Sequence, residues 1–122
     1  MFINFSNHPS ARWDQAQLDA AREYGEIVDI PFPEVSPFAG EHDITVLAEE
    51  SVSNVLKYAD KGDAVMAQGE FTLTYSVINI LKRKGIKVLS ACSTRSVEES
   101  TDENGNTIRK SVFSFARFRE YT

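Results

Sequence analysis

Residues 63–92 read DAVMAQGEFTLTYSVINILKRKGIKVLSAC, and this stretch decides the fold. Asp63 to Gln68 is a short, almost continuously apolar run, the pattern of a parallel strand buried on both faces. Gly69 breaks it. Phe71 to Lys84 then repeats apolar residues at helical spacing and stops at Gly85, and Ile86 to Cys92 supplies a second apolar strand. A strand, a helix and a strand joined by turns of one to three residues form the unit that requires a crossover and a parallel sheet.

The same alternation holds on the N-terminal side. Phe2 to Phe5 reads as a short strand ending in the loop cluster Ser6-Asn7-His8-Pro9-Ser10. A helix is predicted from about Ala11 to Tyr24, with Trp13, Ala16, Ala20 and Tyr24 at helical spacing and Gly25 as its stop. Ile27 to Ile30 makes a second strand, and the proline-rich segment from Phe32 to Glu41 reads as an ordered, irregular loop. Ile44, Leu47, Ala48, Ser51, Val52, Val55, Leu56 and Ala59 form the clearest helical stripe, ended by Gly62. The predicted fold is a single α/β domain over residues 1–122, a Rossmann-like parallel sheet of four core strands with helices on both faces.

The final thirty or so residues change period. Asn104-Gly105 is a hairpin turn signal between Ser93–Asp102 and Thr107–Tyr121. Val112, Phe113, Phe115, Phe118 and Tyr121 are expected to bury much of the returning strand. The result is a C-terminal antiparallel β-hairpin extension of the sheet.

Composition narrows the function classes. Of 122 residues, 42% are hydrophobic and 25% charged, which fits a globular chain with its own core. No apolar run is long enough for a membrane span, and none forms a signal-peptide core, so no membrane partner is expected. One cysteine cannot form an internal disulfide, which points to the reducing cytoplasm, and one Cys with two His falls short of a structural zinc site. No metal or cofactor is expected. The net charge of −5 argues against a coat for long nucleic acid. Residues 1–81 carry 4 Lys/Arg against 13 Asp/Glu (−9), whereas residues 82–122 carry 9 against 5 (+4). Such a chain can take a small anion at one place while repelling a polyanion elsewhere.

Ligands of open parallel sheets bind beyond the carboxyl ends of the strands, where the strand order reverses. With a strand order of 2-1-3-4, that point lies between the first and third strands. Three strand ends then deliver Ser6, Asn7 and His8, Gln68, Gly69, Glu70 and Thr72, and Ser93, Thr94 and Arg95 to one edge. The Arg95 guanidinium fits phosphate oxygens in a bidentate way, with the Ser93 and Thr94 hydroxyls beside it; its alternative is a surface pair with Glu98 or Glu99. His8 has the pKa range of a general base, or it is simply a loop residue before Pro9. Gly69 permits a tight turn or close approach of a ligand. Glu70 suits a ribose hydroxyl or an adenine amino group, or else it favours the start of its own helix. Cys92 is expected to be buried and inert, His42 to belong to the start of its helix, and Asn4, a polar residue inside a strand, to have a hydrogen-bonding role near the sheet edge.

The helix from Phe71 to Lys84 has two apolar stripes: Phe71, Tyr75, Ile78 and Leu81, and Leu73, Val77 and Ile80. One face packs on the sheet. The other calls for a second layer, either the same helix of a second subunit or the C-terminal hairpin.

Four segments together resemble a known group: the strand ending in Ser6-Asn7-His8-Pro9, the run Met66-Ala67-Gln68-Gly69-Glu70-Phe71-Thr72-Leu73-Thr74-Tyr75, the strand ending in Cys92-Ser93-Thr94-Arg95, and the closing Phe115-Ala116-Arg117-Phe118-Arg119-Glu120-Tyr121. They look like the small stand-alone CRISPR-associated proteins with a Rossmann-like (CARF-type) fold found beside type III systems. The resemblance implies a homodimer that binds a cyclic oligoadenylate second messenger across its axis, and in some members a ring nuclease that degrades it. It places Gln68, Gly69, Glu70 and Thr72 in the central ligand loop and Ser93, Thr94 and Arg95 in the second. The chain has Glu70 and Thr72 where the resemblance implies Asp and Gly, a difference that would change ring size or leave binding without cleavage. The implied chemistry is metal-independent attack of a ribose 2′-hydroxyl on the adjacent phosphate. Arg95 would hold phosphate, Glu70 or His8 would orient or deprotonate the hydroxyl, and Gln68 would meet base or ribose. The competing expectations are a non-catalytic binder of the same ligand and a protein-interaction module.

Overall fold

In the computed structural model, residues 1–122 form one five-stranded sheet of order β2-β1-β3-β4-β5. The strands are β1 (Phe2–Ser6), β2 (Ile27–Pro31), β3 (Ala64–Ala67), β4 (Lys87–Thr101) and β5 (Thr107–Glu120). The first four run parallel, and β4 pairs with β5 antiparallel. This is the Rossmann-like α/β arrangement with a C-terminal hairpin, and its strand order reverses between β1 and β3. No helix is long and apolar enough to cross a membrane.

Alternation along the strands sorts two cores. Ile3, Phe5, Val65, Ala67 and Val88 point to the face covered by α2 (Glu41–Val55) and α3 (Phe71–Arg83). Phe2, Ala64, Met66 and Leu89 point to the other, where α1 (Gln15–Arg22) and Phe118 of β5 close over them. β1 is buried along its whole length, as a central parallel strand must be.

Two helices start elsewhere than expected. α1 begins at Gln15 rather than Ala11, because the Asp14 carboxylate accepts a hydrogen bond from the Gln17 amide at 2.9 Å; a short 3-10 turn over Ser10–Arg12 precedes it. α2 begins at Glu41 rather than Ile44, since Asp43 reaches back to the Gly40 amide at 2.9 Å. His42 therefore lies in the first turn of α2.

The larger difference is in β4. It does not end at Cys92 but runs on to Thr101, and with β5 it forms an arm from Ser93/Phe115 to Thr101/Thr107 beyond the sheet. At roughly 3.3 Å per residue the arm is about 30 Å long. A register shift at Cys92/Ser93, where Ala116 is the unmatched residue, marks the base of the arm. Its apolar residues are not buried as the sequence reading expected: Phe118 is buried, Val112, Phe115 and Tyr121 are half-buried, and Phe113 is 67% exposed. Two strands have no second layer to bury them, which periodicity alone does not reveal. Cys92, at the base, is half-buried rather than enclosed.

Candidate functional site

A cleft of about 570 Å³ opens at the carboxyl edge of the sheet, on the α1 face, where β1 and β3 diverge. Its walls come from the β1–α1 loop (Asn7, His8), the 3-10 turn and the start of α1 (Arg12, Trp13), the end of β3 (Gln68) and the arm (Ser93, Phe113, Phe115).

The loop that carries Asn7 and His8 is held from beneath. The Asn4 side-chain amide donates to the His8 carbonyl at 2.9 Å and to the Asp29 carboxylate at 2.9 Å. The Ser6 hydroxyl donates to Asn4 Oδ1 at 2.6 Å and accepts from the His8 amide at 3.2 Å. Asp29 also accepts from the Ser10 amide and hydroxyl, at 3.2 and 3.0 Å. The indole nitrogen of Trp13 donates to the same His8 carbonyl at 3.0 Å. Asn4 and Ser6 are buried and saturated, so they shape the loop, while Asn7 and the His8 ring are exposed.

Gln68 plays a comparable part on the next strand. Past the last β3–β4 pair the Ala91 amide has no ladder partner, and Gln68 Oε1 accepts from it at 3.0 Å. The Gln68 Nε2 donors make no bond within the chain and are available at the cleft wall. The arm contributes through its register. Ser93 pairs with Phe115 and Arg95 with Phe113, and these side chains share the sheet face of Met66 and Leu89. Trp13 and Phe115, which line the cleft, both pack on the buried Phe118 beneath it, with Phe115 and Phe118 centroids 4.8 Å apart and tilted by 57°, and Trp13 and Phe118 centroids 6.4 Å apart and tilted by 56°.

The structure does not bring the remaining sequence-predicted residues to this cleft. Both Glu70 oxygens are engaged in capping α3: they accept from the Thr72 and Leu73 amides at 3.0 and 2.8 Å and from the Thr72 hydroxyl. The Leu73 amide first, then the Thr72 amide and hydroxyl, hold the carboxyl below the usual glutamate range. α3 lies on the opposite face of the sheet, so Glu70 and Thr72 belong to its first turn and not to the cleft. Gly69 has a packing reason of its own. A Cβ there would sit 2.5 Å from the Phe32 ring, which is buried and stacks on Phe5 at 4.9 Å.

Arg95 lies one pair further along the arm than Ser93. It pairs with neither Glu98 nor Glu99; its guanidinium donates to the Ser111 hydroxyl at 2.9 and 3.3 Å, while Glu99 bridges to Arg109 at 3.1 Å. Thr94 points to the other face of the arm and donates to the Ser114 carbonyl at 3.4 Å. Of the three proposed catalytic residues, only His8 lines the cleft. Arg12, Trp13, Phe113 and Phe115 complete it in their place. In the sequence Trp13 reads only as part of a helix stripe and the two phenylalanines as strand core, and Arg12 carries no signal of its own.

Mutually tilted aromatic rings, amide donors and acceptors, the Arg12 cation and the Asp14 carboxylate, gathered at a topological switch point, suit a flat heteroaromatic ring that carries polar groups. A family model described as the Uncharacterized protein MJ1673 family matches residues 1–119. The chain belongs to that family. The description names no activity, and no curated protein and no solved structure matches the chain.

Proposed function

We propose that the chain is a cytoplasmic nucleotide-binding protein whose cleft takes an adenine nucleotide, with cyclic oligoadenylate as the ligand its sequence resemblance implies. The observation that carries this reading is the composition of the cleft walls: Trp13, Phe113 and Phe115 offer π-faces for a base, Asn7 and Gln68 offer amides for its edge, and Arg12 offers a cation for phosphate. The volume of about 570 Å³ fits a small ligand or one part of a larger ring.

Binding is favoured over cleavage because Glu70 is taken up in capping α3 and the Arg95 guanidinium, though its residue pairs with cleft-lining Phe113, is engaged by Ser111 further along the arm. A ring-nuclease reading keeps one specific support, the unpartnered His8 imidazole in a cleft that Arg12 also lines. In that reaction the ribose 2′-oxygen bonds to phosphorus as the P–O5′ bond breaks. His8 accepts the hydroxyl proton and returns it to the departing 5′-oxygen, leaving a 2′,3′-cyclic phosphate.

The test is incubation of the protein with cyclic tri-, tetra- and hexa-adenylate in EDTA, with ligand and products resolved by chromatography. Intact ligand that co-elutes with protein supports the binder. Linear products ending in a cyclic phosphate, lost in His8→Ala, support the nuclease. Ligand that neither co-elutes nor changes contradicts both.

A further inference from the structure

Helix α3 keeps an outward stripe that its own chain leaves uncovered. Phe71, Tyr75, Asn79 and Arg83 recur every fourth residue; Phe71 is 89% and Tyr75 70% exposed. The expected second stripe is thus divided, since Ile78 and Leu81 are buried in the α2–α3 core. The C-terminal hairpin is not the cover: it closes over α1, on the opposite face of the sheet. Phe71 and Tyr75 instead form one side of an open groove of about 430 Å³, whose other side is Ala39 of the preceding loop and Glu41 and Ile44 from the start of α2. The far end of α3 is different in character. Asn79, Lys82 and Arg83 lie together there, about 18 Å from Phe71 along the helix.

We infer that α3 pairs antiparallel with α3 of a second copy of this chain, the Arg83 end of each helix seated in the Phe71–Tyr75 groove of the other. An isologous contact requires a surface complementary to itself after a twofold rotation. The stripe meets that requirement. Rotated about the level of Val77, Phe71 comes opposite Arg83 of the second copy, and Tyr75 opposite its Asn79. The groove end is acidic, with Glu41 on its wall and Asp43 in the same turn, and the far end is basic with Lys82 and Arg83. A parallel pairing would set like charges against each other, whereas the antiparallel one joins opposite charges and opposed helix dipoles. It also lays a guanidinium over exposed aromatic faces, where cation–π attraction adds to burial.

The pairing has a consequence for ligand stoichiometry. The cleft lies on the α1 face and α3 on the other. Two α3 layers, each about 10 Å thick, separate the two sheets in such a dimer, and the clefts open away from each other. Each copy then holds its own ligand, in place of one ring shared on the axis. The dimer itself does not depend on the nucleotide reading.

Light scattering after gel filtration tests the pairing directly. The wild-type chain is expected at twice its own mass, and Arg83→Glu and Tyr75→Glu each at its monomer mass with unchanged circular dichroism, since both side chains are exposed. Glu41→Lys combined with Arg83→Glu exchanges the two charges and is expected to restore the dimer. A wild-type monomer at tens of micromolar overturns the inference, as does a dimer mass unaffected by either single substitution. Failure of the charge exchange to restore the dimer overturns the antiparallel register.

Discussion

The side-chain amide of Asn4 donates to the His8 carbonyl at 2.9 Å, across a loop whose apex forms one wall of the cleft. The same nitrogen reaches Asp29 on the neighbouring strand, so a single buried residue ties β1, β2 and the cleft loop together. Asn4→Ala leaves the buried Ser6 hydroxyl without an acceptor for its proton and takes a donor from Asp29, while the His8 carbonyl keeps only the Trp13 indole. Unsatisfied buried groups cost about 1–3 kcal/mol. Urea denaturation is expected to register a loss of that size, with weaker ligand binding at temperatures where the variant is still folded.

Gly69 faces the Phe32 ring with no room for a methyl group, as its Cβ would stand 2.5 Å from two ring carbons and 2.6 Å from a third. Gly69→Ala therefore forces the Phe5–Phe32 stack apart, and overpacking of this kind costs about 1–3 kcal/mol. The expected result is a lowered thermal midpoint with cleft affinity close to wild type, since the glycine serves the opposite core. A stable Gly69→Ala that fails to bind ligand would instead return this glycine to the ligand loop.

Two exposed carboxylates make stability depend on acid. Glu70 is held below its ordinary pKa chiefly by the Leu73 amide, and Asp102 below its own chiefly by the Asn106 amide in the hairpin turn. A depressed folded-state pKa means the contribution is complete above the unfolded-state value and disappears as pH falls through the folded one. Thermal midpoints measured from pH 7 downward are expected to fall below the ordinary carboxylate range. Glu70→Gln flattens that acid limb, and a limb of unchanged steepness would show that the cap is not its source.

Much of this architecture is legible in the chain because burial imposes a period on it. β1 and β3 are apolar because both faces are covered, and the α2 stripe from Ile44 to Val55 faces one core. Asn7, His8, Gln68 and Ser93 reach the cleft because strand order alone fixes where strands end. The hairpin is legible from a different signal, the Asn104-Gly105 turn between Ser93–Asp102 and Thr107–Tyr121, but the unbroken run of β4 through Cys92 into it is not. From Ser93 to Thr101 nearly every residue is polar or exposed, so no contrast of burial marks it as strand. Glu70 shows the opposite problem: the same carboxylate serves as a ligand group or a helix cap, and only the distances to Thr72 and Leu73 decide.

Phe113 separates ligand binding from folding. Its ring lines the cleft and is 67% exposed, so truncation removes contact area for a ligand and little core. Base–aromatic stacking contributes about 1–3 kcal/mol per base. Phe113→Ala is expected to weaken nucleotide affinity by about 5- to 150-fold while the unfolding midpoint stays within error of wild type. Equal affinity in calorimetric titration would remove the arm from the site.

The arm itself has few buried contacts to protect it, and isolated two-stranded ribbons are marginal in water. Amide hydrogen exchange across Arg95–Phe113 is expected to be much faster than in β1 and β3 and to slow when the cleft is filled. Arm exchange as slow as that of β1 would indicate a partner already seated on it.

Trp13 is the single tryptophan of the chain and lines the cleft, so its fluorescence reports on the site without a label. Titration with cyclic tri-, tetra- and hexa-adenylate is the most direct test of nucleotide binding at the cleft. The expected result is a saturable change in Trp13 emission with at least one ring, weakened in Phe113→Ala and in Gln68→Ala. Emission unmoved by every ring, in a protein shown to be folded by circular dichroism, would contradict the assignment of this cleft to a nucleotide.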